Sequence, residues 1–576
     1  MMILPQFRST LLVSAVFAAG IPIWTTAETI LVPATHPTIQ SAINSAKPGD
    51  IVLVSRGTYR ERINLAHGVT LRSAGDNSKG AVGLKRAEAT IIDGAFPEAV
   101  GAGVTMALDS TLDGFTVTGV GEYDETSWNH HHATQGNQQH HDHIGVPGTA
   151  GVAILDIETC VVTNNIVHHI GYTGIAIMGA EGSRVSPHIL QNITYRNMGG
   201  GIGSMEGSTA IIEGNICFEN FYAGIGHDNA SPLVIDNICY ANVRAGIGIS
   251  ENAKPTVRGN KCYRNRRAGI GIRTGQGTQP IVEDNDCYEN DMAGIGTTDH
   301  ASPIIRDNRC YENALAGIGC REGSTPTIIG NKCYRNQQSG IGCMSGARPL
   351  IIQNECFENA KVGIGHTDGA HSTLIENHCH HNKAAGIGYN DSESGSSIVL
   401  NNRVTDNAMV AVGIHSGWTV NLTGNEFSRK DGMPPVVMVF KGADATFTKN
   451  IIQGNGVAGI RVSGKVVAVD NHFETAKLRR TGPPSYAIWA LEGSQVTMSR
   501  NEIRNWRHAL HATAATITAD NNRVRNFSQF AFIVDQPKTA ANVFGNTALS
   551  TDPSAQVLSI NGSKGIITGN QFHESP

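Results

Sequence analysis

Short apolar stretches alternate with Gly, Asn and charged residues in a phrase that recurs about every 23 residues over the middle of the chain. One copy reads GNKCYRNRRAGIGIR at 259–273. The apolar pieces, such as PTVRGNKCY and GIGI, are too short to give any unit an apolar face of helical length. The pattern therefore predicts short β-strands and turns, with one coil of a stacked solenoid in each repeat.

Two landmarks of the phrase keep the same rhythm. The isoleucine of Gly-Ile-Gly stands at positions 202, 225, 247, 270, 295, 318, 341, 364 and 387. The first Asn stands at 215, 237, 260, 285, 308, 331, 354 and 377, and looser copies continue the series to Asn570. Equivalent residues of stacked strands lie about 4.8 Å apart, so each amide can bond its own turn and the Asn of the next coil. We also expect these Asn residues to adopt the left-handed turn conformation, which Asn tolerates.

The two ends of the chain complete this prediction. The stretch PTIQSAINSA at 37–46 predicts a short helix that caps the first coil and covers its open edge. An apolar N-terminal run followed by small residues predicts a signal peptide and a periplasmic or secreted protein without a transmembrane segment. We expect four parts: a leader at 1–27, the cap and first coils at 28–112, regular repeats at 113–412 with a histidine-rich loop at 120–150, and less regular coils at 413–576.

The repeats GIGI and GN.CY.N resemble those of the NosD-like family of right-handed parallel β-helix proteins. The segment IQSAINSAKPGDIVLVSRGTYRERINLAHGVTLRS resembles the first coil of carbohydrate-active proteins of the pectin-lyase-like superfamily. The resemblance covers most of residues 28–575 and implies a single right-handed parallel β-helix. It also implies two functions, which are periplasmic copper delivery and action on polysaccharides as a lyase, epimerase or esterase.

Strand alternation sorts the repeated side chains between the two sides of the wall. With the isoleucine of Gly-Ile-Gly facing in, the repeated Cys also faces in, while the aromatic residue after it and the second Gly face out. The aromatic column either stacks sugar rings or shields the wall by stacking on itself. The glycine column either gives a polymer a smooth floor or satisfies a turn that needs Gly.

Composition and cysteine count narrow the functional classes. A net charge of −5 over 576 residues does not favour binding of nucleic acid. Eleven Cys is an odd number, and stacked Cβ atoms about 4.8 Å apart exceed the spacing of a disulfide. The Cys column is therefore predicted to pack the core as thiols, with binding of a soft ion as the alternative. We expect a monomer.

The segment WNHHHATQGNQQHHDHIG at 128–145 interrupts the coil rhythm and concentrates imidazoles. Imidazole clusters bind copper, zinc or nickel, and the resemblance favours copper. The alternative is a solvated loop without a metal. The predicted ligands, including the pair at the equivalent turn one coil later, are His130, His131, His132, His140, His141, His143, His168 and His169. A second predicted metal site is one inward column of Cys320, Cys343 and His366, whose alternative is core packing.

A catalytic site is not evident from the column that follows Gly-Ile-Gly. Arg273 and Arg321 lie two coils apart, and Asp228 lies two coils from Arg273. The calcium-binding acid cluster of the pectate-lyase-like families is also absent. The sequence therefore favours a non-catalytic metal-binding protein. A polysaccharide-active or polysaccharide-binding β-helix is the second hypothesis, and a structural surface rod is the third.

Overall fold

The computed structural model describes residues 27–96, 101–139, 145, 149–180, 182–392, 394–538, 540–562 and 565–574. Within these residues the chain forms 63 short strands and three helices. The strands make three parallel sheets, which are the three faces of a single right-handed β-solenoid. The predicted all-β solenoid is therefore confirmed.

Sheet A contains the strand that precedes the first Asn of each coil. Its 22 strands are Thr29–Val32, Ile51–Val54, Thr70–Ser73, Thr111–Asp113, Val161–Thr163, His188–Leu190, Ile211–Glu213, Leu233–Ile235, Thr256–Arg258, Ile281–Glu283, Ile304–Arg306, Thr327–Ile329, Leu350–Ile352, His371–Ile375, Gly395–Leu400, Trp418–Thr423, Asp444–Thr448, Lys465–Val469, Gln495–Ser499, Thr516–Asp520, Asn542–Phe544 and Ile567–Thr568.

Sheet B contains the strand that follows the first Asn and, in the regular repeats, carries the Cys and the aromatic residue. Its strands are Gly57–Tyr59, Thr90–Asp93, Thr116–Thr118, Ile166–His168, Ile193–Tyr195, Ile216–Phe218, Ile238–Tyr240, Lys261–Tyr263, Asp286–Tyr288, Arg309–Tyr311, Lys332–Tyr334, Glu355–Phe357, His378–His380, Arg403–Thr405, Glu426–Arg429, Ile451–Gly454, His472–Glu474, Glu502–Arg504, Arg523–Arg525, Thr547–Ser550 and Gln571–Glu574.

Sheet C contains the Gly-Ile-Gly strand. Its strands are Ile63–Asn64, Val104–Thr105, Val152–Leu155, Ile175–Met178, Ile202–Met205, Ile225–Asp228, Ile247–Ser250, Ile270–Ile272, Ile295–Thr297, Ile318–Cys320, Ile341–Cys343, Ile364–His366, Ala385–Tyr389, Val410–Ile414, Val437–Val439, Ala458–Val462, Tyr486–Ala490, His508–Thr513, Phe530–Asp535 and Gln556–Asn561.

Each strand pairs in parallel with the equivalent strands of neighbouring coils. Cys262, for example, is in register with Cys239 on one side and Cys287 on the other. The predicted stacking of equivalent positions is therefore confirmed. The 22 strands of sheet A give 21 steps of about 4.8 Å, so the stack is about 100 Å long.

The repeated Cys and Ile fill the interior. All eleven Cys are free and buried. Burial raises the pKa of the Cys239 and Cys287 thiols well above the ordinary value, and their neighbours in the column add to this effect. The column therefore packs the core, and the predicted inward orientation is confirmed.

The first Asn of each phrase forms a hydrogen-bonded ladder at the corner between sheets A and B. The buried Oδ1 of Asn308 accepts from the backbone N and the Nδ2 of Asn285, each at 2.9 Å. Its Nδ2 donates to the Oδ1 of Asn331, also at 2.9 Å. The left-handed residue is instead the one before the Asn, as at Asp307 with φ 56°. The expectation that the Asn itself adopts this conformation was wrong, because the chain turns one residue earlier and the Asn then directs its amide along the stack.

A second ladder, which the sequence analysis did not predict, occupies the corner between sheets B and C. Asn265 donates to the Oδ1 of Asn290 at 3.0 Å and to the carbonyl of Cys239 at 3.1 Å. Its signal was the second Asn of the phrase, five residues after the first. Two ladders thus satisfy the polar backbone at two corners of the solenoid.

The helices are Ile39–Ser45, Lys85–Ala89 and Glu125–Ala133. The first one confirms the predicted cap: Thr38 and Ser41 form a capping box, and Ile39, Ala42 and Ile43 are buried. Among the described residues, no helix has the length and apolar character needed to cross a membrane. The predicted leader lies almost wholly outside the described residues and stays a prediction.

Candidate functional site

The histidine-rich segment is an insertion between the sheet B strand Thr116–Thr118 and the sheet C strand Val152–Leu155. Its position before a Gly-Ile-Gly-type strand is as predicted, since Val152 is in register with Ile175. The segment was expected to be a loop, but it begins with the helix Glu125–Ala133, whose N-cap Asp124 accepts from the backbone of Ser127. The helix forms because Asp124 caps its first turn and because Trp128 of the helix packs on the outside of the solenoid.

Trp128 attaches the insertion helix to the outside of the solenoid. Its side chain is 3% exposed and packs against Met198, Phe221 and Val243. Its Nε1 donates to the carbonyl of Glu219 at 2.9 Å. The insertion therefore lies along the corner between sheets B and C, over coils that follow it in the sequence.

Beyond the helix, backbone carbonyls of the insertion accept hydrogen bonds from arginines of this corner. The Nε of Arg266 donates to His132 at 2.9 Å, and the Nη2 of Arg244 donates to Gln139 at 2.9 Å. Arg267 donates to the carbonyl of Gly136 in the same way. The insertion thus forms a raised wall along one edge of sheet C.

The helical histidines point in different directions, since successive helical residues are rotated by about 100°. His130 lies 3.3 Å from the side chain of Gln138, and His131 packs edge-on against Phe221 at 5.2 Å. His132 stacks on Trp128 at 4.8 Å, and burial lowers its pKa. The rings of His130 and His131 contact each other edge-on at 5.1 Å, but the three histidines do not form a group whose ligand atoms all lie within 4.8 Å of one another.

His168 and His169 form a separate pair on sheet B, with their Nδ1 atoms 2.7 Å apart. Burial lowers the pKa of His168 to about 4, and its ring stacks on Tyr195 at 4.8 Å. His169 contacts Tyr123 edge-on at 4.5 Å. The other predicted ligands, His140, His141 and His143, lie outside the described residues. A metal site in the insertion therefore stays a prediction.

The second predicted metal site lies in the core. Cys320, Cys343 and His366 are stacked in register and buried. The ring nitrogens of His366 already have partners, with Nε2 2.8 Å from the hydroxyl of Ser372 and Nδ1 3.2 Å from the carbonyl of Gly388. This arrangement favours the core-packing alternative for the column, and metal binding there also stays a prediction.

The aromatic column is a continuous ladder on the outward face of sheet B. From Tyr195 to His380, neighbouring rings lie 4.9–5.1 Å apart with interplanar angles of 3–9°. The ladder contains His168, Tyr195, Phe218, Tyr240, Tyr263, Tyr288, Tyr311, Tyr334, Phe357 and His380. The ring faces cover one another, so the ladder presents mainly ring edges to a ligand. Its geometry therefore favours self-stacking over stacking with sugars.

The second Gly of each Gly-Ile-Gly forms a column on the outward side of sheet C, which we name the glycine strip. Most of its residues are half-buried, and Gly342 and Gly413 are buried. It consists of Gly203, Gly226, Gly248, Gly271, Gly296, Gly319, Gly342, Gly365, Gly388 and Gly413. None of these residues has a positive φ. Of the two alternatives for this column, a turn that requires glycine is not what the structure has, because the residues lie in extended strands.

Neighbouring glycines of one strand show what the fold itself requires. A Cβ on Gly246, the first Gly of its phrase, would lie 2.7 Å from the carbonyl oxygen of Gly269, so packing requires glycine there. A Cβ on Gly248 would meet only the Cβ of Ala223 at 3.5 Å, and one on Gly226 would meet no atom within 4 Å. Glycine in a strand costs about 0.5–1 kcal/mol relative to Ala. Glycine at Gly226 and Gly248 thus has no reason in the fold itself, whereas a Cβ on Gly365 would lie 2.8 Å from the side chain of Val362.

Later coils confirm that the position accepts large side chains. Gly413 is in register with Met438, which is followed by Arg461 and Trp489. Ten glycines give nine steps of about 4.8 Å, so the strip is about 43 Å long. The strip residues carry no side chains of their own, and the column ends at bulky residues.

A tyrosine and three arginines border the strip, and we name them the Tyr–Arg cluster: Tyr222, Arg244, Arg267 and Arg273. The Nη2 of Arg273 donates to the phenolic oxygen of Tyr222 at 3.0 Å, and the Nη1 of Arg244 lies 3.5 Å from the same oxygen. Burial and the charges of Arg267 and Arg273 lower the pKa of Arg244 to about 10. None of the ion pairs between described residues involves these three arginines. The cluster therefore carries positive charge that no described carboxylate neutralises at contact distance.

Sequence reasoning missed this cluster because it considered only the column of Arg273 and Arg321. Tyr222, Arg244 and Arg267 come from the corner column, where each backbone N–H bonds the carbonyl of the preceding coil. The sequence signal that could have revealed them is their common place in the repeat: each stands two residues after the second Asn of its phrase. Side-chain reach across two coils then brings Arg273 to Tyr222.

Comparison with solved structures finds β-helix proteins at low identity. The N-terminal fragment of gene product 12 of bacteriophage Phi29 is 11% identical, with a TM-score of 0.42 and coverage of 92% of this chain and 89% of that one. The Dettilon tailspike protein gp208 is 13% identical, with a TM-score of 0.34 and coverage of 73% and 68%. The A-module of the mannuronan C-5 epimerase AlgE4 of Azotobacter vinelandii is 15% identical, with a TM-score of 0.23 and coverage of 75% and 89%. At these values the similarity concerns the fold alone.

Comparison with curated proteins gives no match. The model of the family described as "Right handed beta helix region" matches residues 134–287, 245–324, 280–427 and 431–572. These matches together span more than half of the chain. The chain therefore belongs to the family of right-handed β-helix region proteins.

Proposed function

We propose that this protein binds an acidic polysaccharide along the outward face of sheet C. The observation that carries the proposal is the open part of the glycine strip at Gly226 and Gly248, which lies beside a Tyr–Arg cluster whose arginines form no ion pair with a described carboxylate. Glycine at an open strand position marks a place where a ligand approaches the backbone closely. A track about 43 Å long suits an extended polymer better than a small molecule.

The charge of the cluster selects the type of polymer. Guanidinium groups bind carboxylates through paired, charge-assisted hydrogen bonds. Arg244 and Arg273 both reach the phenolic oxygen of Tyr222, so they present their charge at one point beside the strip. A polymer of uronic acids offers carboxylates at regular intervals along its length. We therefore infer a polyuronate in preference to a neutral polysaccharide.

The insertion lies beside the proposed binding face and holds two arginines of the Tyr–Arg cluster in place. The carbonyls of Gly136 and Gln139 accept from Arg267 and Arg244 and restrict the movement of these side chains. Restricting them before binding reduces the entropy that a ligand contact must offset. The polysaccharide hypothesis replaces metal binding as the leading function, because the cluster and strip are assembled while the described insertion histidines do not bring three ligand atoms together.

A second candidate function is conversion of the bound polyuronate, and the Tyr222–Arg273 hydrogen bond favours it. The phenolic oxygen of Tyr222, which lies beside two guanidinium groups, is the atom that we assign as the general base. Such a base can take the proton from the carbon that carries the uronate carboxylate, while arginine stabilises the charge that develops on the carboxylate. Donation of a proton by water to the opposite face gives epimerisation. Expulsion of the neighbouring sugar, whose bridging oxygen takes up a proton from water, gives an unsaturated product.

Binding is tested by affinity electrophoresis in gels containing polygalacturonate or neutral dextran. The variant Gly226→Val/Gly248→Val/Gly271→Val fills the open part of the strip, and we expect it to weaken retention by polygalacturonate at least tenfold. Arg258→Gln removes a charge from sheet A on the same coil as Arg273 and serves as the control. Equal retention of the filled variant and the wild type, or equal retention by dextran, would contradict the proposal.

Conversion is tested on the same polymer by ultraviolet absorbance for unsaturated uronates and by NMR for epimers. Tyr222→Phe removes the phenolic oxygen but keeps the ring. We expect it to abolish product formation while retaining most of the binding. Binding without product in the wild type would leave the binding function standing and reject the enzymatic one.

A further inference from the structure

Two histidines and a glutamate meet on the outward face of sheet B, at the C-terminal end of the aromatic ladder. His378 and His380 are two residues apart in one strand and project to the same side, with ring centroids 4.3 Å apart. Glu355 is in register with His378 on the preceding coil. Among the described residues, this group brings its potential metal-ligand atoms within 4.8 Å of one another.

The ring of His380 is held in a defined orientation. It stacks on Phe357 at 5.1 Å with an interplanar angle of 3°. Its Nδ1 lies 2.8 Å from the Nδ1 of His381, and its Nε2 lies 3.3 Å from the Oε1 of Glu355. One ring nitrogen is thus fixed by a neighbour while the other meets the carboxylate. Metal-binding histidines are commonly oriented in this way.

The group is open to solvent and has a charged carboxylate. The side chains of Glu355 and His380 are 35% and 17% exposed, so an ion can reach them. Burial by itself raises the pKa of Glu355, but the hydrogen bond from His380 and the charge of Lys332 outweigh it and lower that pKa. Burial lowers the pKa of His378, which favours the neutral imidazole that binds metals.

The fold does not require histidine at either position. In the regular coils, the position of His378 is occupied by Lys261, Lys332 or Arg403 among others. The position of His380 is a ladder position that holds Tyr or Phe in every coil from Tyr195 to Phe357. Both positions of this coil therefore depart from the residues of the regular repeat. They do so beside Glu355 of the preceding coil.

We propose that Glu355, His378 and His380 bind one divalent transition-metal ion, with zinc as the representative ion. Two imidazoles and one carboxylate are a three-ligand set that leaves a fourth position for water or another ligand. The site lies on sheet B, while the polysaccharide face is on sheet C, so the two proposals are independent.

Zinc titration of the full-length protein, purified without a histidine tag, against a chromophoric chelator tests this proposal. His378→Lys and His380→Tyr install residues that the repeat already uses, so the fold is preserved and is checked by circular dichroism. We expect each to weaken zinc binding at the site at least tenfold, and Glu355→Gln to weaken it in the same direction. X-ray absorption of the zinc form should show nitrogen and oxygen ligands with two imidazoles.

The matched control is the histidine pair at the other end of the ladder. His168→Tyr/His169→Glu installs the Tyr-Glu sequence found at other coils and should leave zinc affinity unchanged. Loss of zinc only in this control would assign the ion to the opposite end of the ladder and overturn the proposal. Unchanged affinity in both His378→Lys and His380→Tyr would overturn it as well.

Discussion

Arg273 donates a hydrogen bond to the phenolic oxygen of Tyr222 over 3.0 Å, although the two residues are 51 positions and two coils apart. Arg273 lies at the far border of sheet C, and Tyr222 lies at the corner with sheet B. The hydrogen bond therefore joins the two borders of the glycine strip. The contact forms because the pairing register stays constant over successive coils. No local sequence pattern predicts it.

The two glycines of one strand should respond oppositely to an added methyl group. Gly248→Ala places its Cβ 3.5 Å from Ala223, so we expect equal stability or a gain of about 0.5–1 kcal/mol. Gly246→Ala forces its Cβ to 2.7 Å from the oxygen of Gly269, and we expect a loss of about 1–3 kcal/mol. Urea unfolding followed by circular dichroism measures both. Similar destabilisation of the two variants would show that the strip glycines are structural.

Salt should weaken polyuronate binding through the Tyr–Arg cluster. Exposed charge interactions are screened over about 8 Å at physiological ionic strength. Arg244→Gln/Arg273→Gln should lower the affinity at low salt by at least tenfold and flatten its dependence on salt. Isothermal titration calorimetry at several salt concentrations provides the measurement. Arg258→Gln removes a single charge from another face and should keep the salt dependence of the wild type. An equal loss of affinity in this control would indicate that net charge alone causes binding.

His227 should make the protein less stable in acid. The residue is buried, and burial lowers its pKa from the ordinary 6.5 to about 3. Below pH 6.5 the unfolded chain takes up a proton that the folded chain does not. Stability therefore falls as the pH drops from 6.5 towards 3, by about 1.4 kcal/mol per pH unit for this group.

His227→Ile tests this pH dependence, because Ile249 occupies the same column on the next coil. Neither ring nitrogen of His227 has a hydrogen-bond partner among the described residues, so removing the imidazole also removes an unsatisfied polar group. We expect higher stability and a flatter profile between pH 6.5 and 4 in urea unfolding. A profile as steep as that of the wild type would assign the acid sensitivity to other groups.

Trp128→Ala should release the insertion without unfolding the solenoid. The indole is 3% exposed and packs on Met198, Phe221 and Val243, which lie outside the main core. We expect faster proteolysis within 120–150 and weaker polyuronate binding, with an unchanged main unfolding transition. Limited proteolysis with mass spectrometry locates the cleavage sites. A reduced unfolding midpoint would instead make the insertion part of the folding core.

The sequence by itself determined the architecture, because a repeat of about 23 residues aligns equivalent positions of stacked coils. Inward Cys262, outward Tyr263 and the ladder of Asn260 all follow from strand alternation and the regular rhythm. The capping helix at Ile39–Ser45 also follows from its local pattern. These features depend on short-range order and on one repeated spacing.

Only the tertiary structure decided which outward columns are available to a ligand. The rings of Tyr263 and Tyr288 stack at 4.9 Å and cover each other, whereas the space above Gly226 is open. Arg273 meets Tyr222, and Glu355 meets His380, because side chains reach across coils and an insertion crosses several of them. Such contacts depend on rotamers and on the path of the insertion, and neither is encoded in the spacing of the repeat.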